Sequence, residues 1–118
     1  MNIVVLRGCL SSAPQMRTLE SGSVLWSLEV TTRSDDGTAS VPVAWFDPPV
    51  TPALADGAEV VVVGTVRRRF FRTPAGTQSR TEVVAAEVVP SSARKRAQRA
   101  VQRAVESLGA GGEQELRS

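Results

Sequence analysis

The sequence predicts an all-β domain, a small barrel or sandwich of five strands, followed by one amphipathic helix. Three observations predict it. Runs rich in Val, Ile and Leu, each of strand length, recur between clusters of turn residues. Within these runs apolar and polar residues alternate, the period of a half-buried strand. After Pro90 that period gives way to helical spacing. At 118 residues, 42% hydrophobic and 22% charged, the chain has the size and balance for one core plus an appendage.

The first strand spans Ile3 to Leu10 and is stopped by Ser11-Ser12-Ala13-Pro14. The second, Val24 to Arg33, places Trp26, Leu28 and Val30 on one face, suited to a core or a subunit contact. Asp35-Asp36-Gly37-Thr38 has the chemistry of a tight hairpin and leads into a third strand, Ala39 to Phe46. Pro42 cannot donate to a ladder, so this strand belongs at an edge or turns its missing donor outward. Asp47 to Pro52 reads as extended loop, and Ala53 to Ala55 as at most one helical turn before Asp56-Gly57. Glu59 to Arg72 and Arg80 to Val89 are the fourth and fifth strands, joined at Pro74-Ala75-Gly76 into a long hairpin.

Ser91 and Ser92 are good N-caps for a helix on which Ala93, Ala97, Ala100, Val101, Ala104, Val105 and Leu108 form an apolar stripe. Gly109 reads as its C-cap, and residues 109–118 as a disordered polar tail. The organisation expected is therefore a domain over residues 1–90, a basic helix over 91–108 and a tail over 109–118. Arg96, Arg99 and Arg103 flank the stripe. The stripe suits packing on the barrel with the arginines outward, pairing with a helix of another subunit, or a basic face along DNA or an anionic membrane; packing is favoured.

Composition excludes several functions. Histidine and tyrosine are absent and Cys9 is the one cysteine, which removes disulfides, cysteine-based zinc sites and histidine-assisted nucleophiles. Cys9 is expected to pack as a small hydrophobe. The acidic residues form no spacing suited to a metal or to acid–base work, so neither an enzyme nor a cofactor is expected. The longest apolar run, near Val60 to Val63, is far below the ~20 residues of a membrane span, and no signal-peptide pattern opens the chain. A cytoplasmic, membrane-free protein is expected.

Charge is divided unevenly. Residues 1–90 carry eight arginines against nine carboxylates, while residues 91–118 carry six cations against three glutamates. Attraction to a polyanion therefore requires arginines clustered on one surface. Alternation along the fourth strand supplies a cluster, because Arg67, Arg69 and Phe71 share the face opposite Val60, Val62, Gly64 and Val66. A ring beside two cations matches single-stranded nucleic acid, which offers flat bases and phosphates; the plainer alternative is a solvated edge. Arg72 and Arg80 on the same hairpin, and Arg17 and Arg33 from the opposite side, extend the track. Trp45 and Phe46 adjoin at the end of a strand, so one ring faces in and the other out.

Across residues 2–89 the pattern resembles the bacterial single-stranded DNA-binding protein family. Its N-x-V-x-L-x-G opening is matched by Asn2, Val4, Leu6 and Gly8, followed by Pro14, Arg17 and Ser21-Gly22. Its G-x-x-V-x-V-x-G is matched by Gly57, Val60, Val62 and Gly64, running into Arg69, Phe71 and Gly76. The resemblance implies a five-stranded Greek-key OB-fold barrel that binds single-stranded DNA and self-assembles into tetramers or dimers. By the same carry-over Trp45 and Phe71 stack bases; the alternative from the residues alone is Trp45 in the core and Phe46 stacking. Two further stacking positions of the family fall near Asp36 and Ala39 and are not aromatic here. The family's acidic tip, ending in Pro-Phe, has no counterpart in Glu113 to Ser118, so recruitment of replication proteins through it is not expected.

The function expected is non-catalytic, largely sequence-independent binding of single-stranded DNA in replication, repair or recombination. The alternative is an OB-fold protein-interaction module, similar to primosomal replication proteins, that acts through oligomerisation and its basic helix.

Overall fold

Alternation along the first strand decides which of its residues reach the core. In the computed structural model, which describes the backbone of residues 1–49 and 51–117 and side chains through residue 109, β1 (Val4–Leu10) turns Val4, Leu6 and Leu10 inward. Val5, Arg7 and Cys9 take the opposite parity. Cys9 is therefore exposed, which corrects the expectation that it packs as a hydrophobe.

After Pro14 comes β2 (Gln15–Thr18), a strand with no counterpart in the sequence reading. All four residues are exposed, so no apolar alternation marks it; backbone pairing with the next strand holds it in place. β3 (Val24–Ser34) and β4 (Gly37–Phe46) are paired from Leu25–Phe46 to Ser34–Gly37. β5 (Glu59–Thr73) and β6 (Gly76–Pro90) form a second hairpin with arms of 15 residues each. Between the hairpins Ala53 to Ala55 form no helical turn. Instead the Ala58 amide donates to the Ala55 carbonyl across a turn in which Gly57 takes a positive φ of 86°, a conformation that a helix excludes.

The strands lie in the order β1-β5-β6-β4-β3-β2, and β1 also pairs with β3 through Cys9–Thr31 and Leu10–Val30. That last pairing closes β1, β5, β6, β4 and β3 into a five-stranded barrel, with β2 added along β3. β4 meets β6 in parallel at only Val43–Val83 and Ala44–Val84. Pro42, opposite Glu29, lies just before this contact, where the second edge of β4 has no ladder partner.

Closure brings backbones together where a side chain would collide. A Cβ on Gly8 would stand 2.3 Å from the Thr31 carbonyl oxygen, and one on Gly64 would stand 2.1 Å from that of Val84. At Gly64 the β5–β6 register shifts, passing from Val63–Glu87 to Gly64–Ala85 and leaving Ala86 as the bulged residue. The bulge changes the parity of β6, so Val83, Ala85 and Val88 all reach the core. Beyond the end of β1, the Asn2 side chain continues the ladder. Its Nδ2 donates to the Val66 carbonyl at 2.7 Å and its Oδ1 accepts from the Val66 amide at 2.9 Å.

Leu10, Val30, Val60 and Val62 fill the barrel centre. A second apolar cluster lies on its outer surface, where Val61 and Val89 are covered by α1 (Arg94–Arg117). Among the described residues Ala97, Ala100 and Ala104 are the buried positions of that helix, and Arg103 pairs with Glu87 beneath it. The helix thus packs on the barrel. Its apolar stripe divides, because Val101, Val105 and Leu108 remain exposed. The helix also continues past Gly109 to Arg117, so Gly109 is not its C-cap and backbone 109–117 is helical rather than a disordered tail. A glycine inside a helix costs about 1 kcal/mol, too little to end it when Glu113, Gln114, Glu115 and Leu116 favour helix. Val50, residue 118 and the side chains from residue 110 lie outside the described residues.

An ion pair of 2.7 Å joins Arg7 on β1 to Glu59 at the start of β5. The Arg7 guanidinium, first by hydrogen bond and then by charge, holds the Glu59 carboxyl below its ordinary range. Among the described residues no helix is long and apolar enough to cross a membrane.

Candidate nucleic-acid interface

One side of the barrel carries a groove whose floor is the outer face of the β3–β4 hairpin and whose wall is the β5–β6 hairpin. Core residues set its composition. Leu28 and Val30 on β3, and Val41, Val43 and Trp45 on β4, point inward, so Ser27, Glu29, Pro42, Ala44 and Phe46 are left to line the groove. Leu25, opposite Phe46 in the ladder, adds an apolar patch.

From the wall come Arg67, Arg69, Arg80 and Glu82, and Arg17 enters from β2. The Arg67 guanidinium lies over the Phe46 ring, 5.4 Å from its centroid, and that of Arg69 lies 5.7 Å from the centroid of Phe71. One cation–ring unit thus bridges the wall to Phe46 on the floor, and a second lies farther along β5 at Phe71. Arg69 is directly opposite Arg80 in the ladder, an arrangement of like charges that needs carboxylates nearby. Glu82 supplies one, 3.1 Å from Arg69 and 3.7 Å from Arg67. Glu29 supplies the other, 3.8 Å from Arg80.

The groove brings together Arg67, Arg69, Arg80 and Arg17, with Phe71 just beyond its lining and joined to it through Arg69, and the rest of the expected site is separate. Trp45 is not in the groove. It packs against the barrel core opposite Trp26, and the ring presented at this position is Phe46, the alternative arrangement of the pair. Arg72 shares the parity of Arg68 and Phe70, on the side of the hairpin facing away from Phe71. Arg33 has the parity of Glu29 but lies farther along β3, opposite Thr38 near the hairpin tip and beyond the groove lining. Phe70 is 67% exposed and stands on the far side of the β5–β6 arm. Glu29 and Glu82 are groove residues that the sequence reading does not single out. For Phe46 the signal exists, since Val41, Val43 and Trp45 share one parity; for the glutamates it does not, because their place depends on strand register.

Among solved structures, the chain is similar to a Plasmodium falciparum SSB in complex with ssDNA, with a TM-score of 0.66 over 76% of this chain and 94% of that one, at 18% sequence identity. The barrel is an OB-fold. Its five closed strands and C-terminal helix agree with the architecture expected from the sequence. No family model matches the chain, and no curated protein matches it. Within the OB-fold, the two aromatic–arginine units stand on the outer barrel face, clear of the core that closes the sheet.

Proposed function

We propose that this OB-fold protein binds single-stranded DNA without catalysis, in replication, repair or recombination. Phe46 and Phe71 stack bases, and Arg67, Arg69, Arg80 and Arg17 contact phosphates. The observation that carries the reading is the succession of two arginine-flanked rings, Phe46 in the groove and Phe71 joined to it through Arg69. Rings provide sequence-tolerant stacking and guanidinium groups provide phosphate contacts, which together are the requirements for a single strand. The SSB–ssDNA complex with the same fold supports this assignment. Fluorescence anisotropy of labelled oligo-dT, titrated at low and high salt, tests it; binding that weakens with salt is expected, and no binding at low salt rejects it.

Self-assembly into dimers or tetramers belongs to the same proposal. It is supported by the second edge of β1, where Val4 to Gly8 pair with β5 alone; light scattering measures it. A second reading, a protein-interaction module, draws on the exposed Val101, Val105 and Leu108 of the docked helix. A protein that associates with other proteins and ignores oligo-dT would favour that reading.

A further inference from the structure

Glu82 is the buried acidic side chain among the described residues, with 8% of its side chain exposed, and it sits in the wall of the phosphate-binding groove. A negative charge at this place opposes the polyanion that the groove is proposed to bind. Its Oε1 is buried and lies 3.1 Å from Arg69 Nε and 3.7 Å from Arg67 Nη2, yet no donor is oriented to make a hydrogen bond to it. The contact is therefore coulombic, with no hydrogen bond to fix the partner. The same two guanidinium groups cover the faces of Phe46 and Phe71. One carboxylate thus holds two cations, and each cation lies over a ring that a base would need.

We propose that Glu82 is an internal competitor for phosphate and a positioning residue for both arginines. It holds Arg67 and Arg69 over the rings in the free protein and must surrender them when phosphate binds. The inference rests on the groove reading above and adds an exchange to it: guanidinium passes from carboxylate to phosphate, and the ring faces are uncovered together. Because Glu82 is buried, releasing its partners leaves a poorly solvated charge behind, which opposes binding and limits affinity. Glu29 near Arg80 is more exposed and exerts a weaker form of the same competition.

The test uses the isosteric variant Glu82→Gln in the full chain, with two probes. Tripolyphosphate carries phosphate charge and no bases, so it reads the competition without requiring DNA binding. Calorimetry is expected to show Glu82→Gln binding tripolyphosphate about fivefold tighter than the parent. Glu82→Gln should give no gain when introduced into Arg67→Ala/Arg69→Ala, and Glu106→Gln, which removes an equal charge on the helix, should not reproduce the gain. The Nε–Hε resonances of Arg67 and Arg69 should shift in the unliganded variant. With oligo-dT, Glu82→Gln should bind more tightly than the parent at every salt concentration with the log–log slope unchanged, because the same arginines contact phosphate in both complexes.

Unchanged tripolyphosphate affinity, or an equal gain in Glu106→Gln, overturns the competition. A variant that instead loses a preference for oligo-dC over oligo-dT also overturns it, since Glu82 would then be accepting a hydrogen bond from a base amine. Tighter tripolyphosphate binding in the variant, with neither protein binding oligo-dT, would uphold the competition and reject the single-stranded DNA reading.

Discussion

Trp45 and Phe46 are neighbours in the chain, both half-buried but on opposite faces of β4, whose core face is already set by Val41 and Val43. The difference is measurable. Phe46→Ala and Phe71→Ala are expected to weaken oligo-dT binding by about 1–3 kcal/mol each, with urea midpoints little changed. Trp45→Ala is expected to lower unfolding free energy by about 3 kcal/mol through lost packing. A Trp45 variant of native stability that loses DNA affinity would restore Trp45 to the interface. Glu59 gives a residue-scale prediction in pH. Its folded-state pKa is lowered by Arg7, so its stabilising contribution is present above the unfolded value and is lost as pH falls through the folded one. Carboxyl-carbon NMR should find Glu59 titrating higher in Arg7→Gln than in the parent.

At the scale of elements, the β5–β6 hairpin combines two roles on one ladder. Near the barrel its arms bury Val60, Val62, Val83 and Val88, and farther out the same strands carry the groove arginines. Arg69→Ala should therefore spare the fold and lower the oligo-dT salt slope by about 0.7, measured by anisotropy over a salt series. The helix acts elsewhere, covering Val61 and Val89 on the outer surface. Removing residues 91–118 exposes those valines and is expected to reduce Tm by roughly 10 °C, while removing 109–118 leaves Tm close to the parent value, because Ala104 is the last buried alanine among the described residues.

Legibility in the sequence followed the same physics. β1, β3, β5 and β6 declare themselves because each has apolar residues of one parity to bury. β2 does not, since all four residues face solvent and its place depends on hydrogen bonds to β3. Arg67, Arg69 and Phe71 can be grouped from one strand alone. Their association with Arg80, Glu82 and Phe46 needs the cross-strand register and the packing between hairpins, and the Ala86 bulge defeats simple counting along β6. Gly109 misleads because a helix tolerates glycine when the residues beyond it favour continuation.

For the molecule as a whole, net charge is a poor guide to its electrostatics. The chain carries only +2, yet four arginines converge on one groove, two of them sharing a buried carboxylate and a third near an exposed one. Oligo-dT affinity should accordingly fall with a log–log salt slope of magnitude about 3, the value for four phosphate contacts. A slope near zero would mean that base stacking alone holds the strand.

Barrel closure also sets a timetable for folding. β1 leaves the ribosome before β5, the partner that completes its ladder through pairs such as Val4–Gly64 and Cys9–Glu59. Until more than fifty residues have followed, Val4, Leu6 and Leu10 have no finished core to enter. Such distant pairing must overcome loop-closure entropy before it is rewarded, and barrels of this kind fold in roughly milliseconds to seconds. The nascent first strand is therefore the segment most in need of shielding during synthesis. The β3–β4 hairpin, whose partners are near in sequence, can form while it waits.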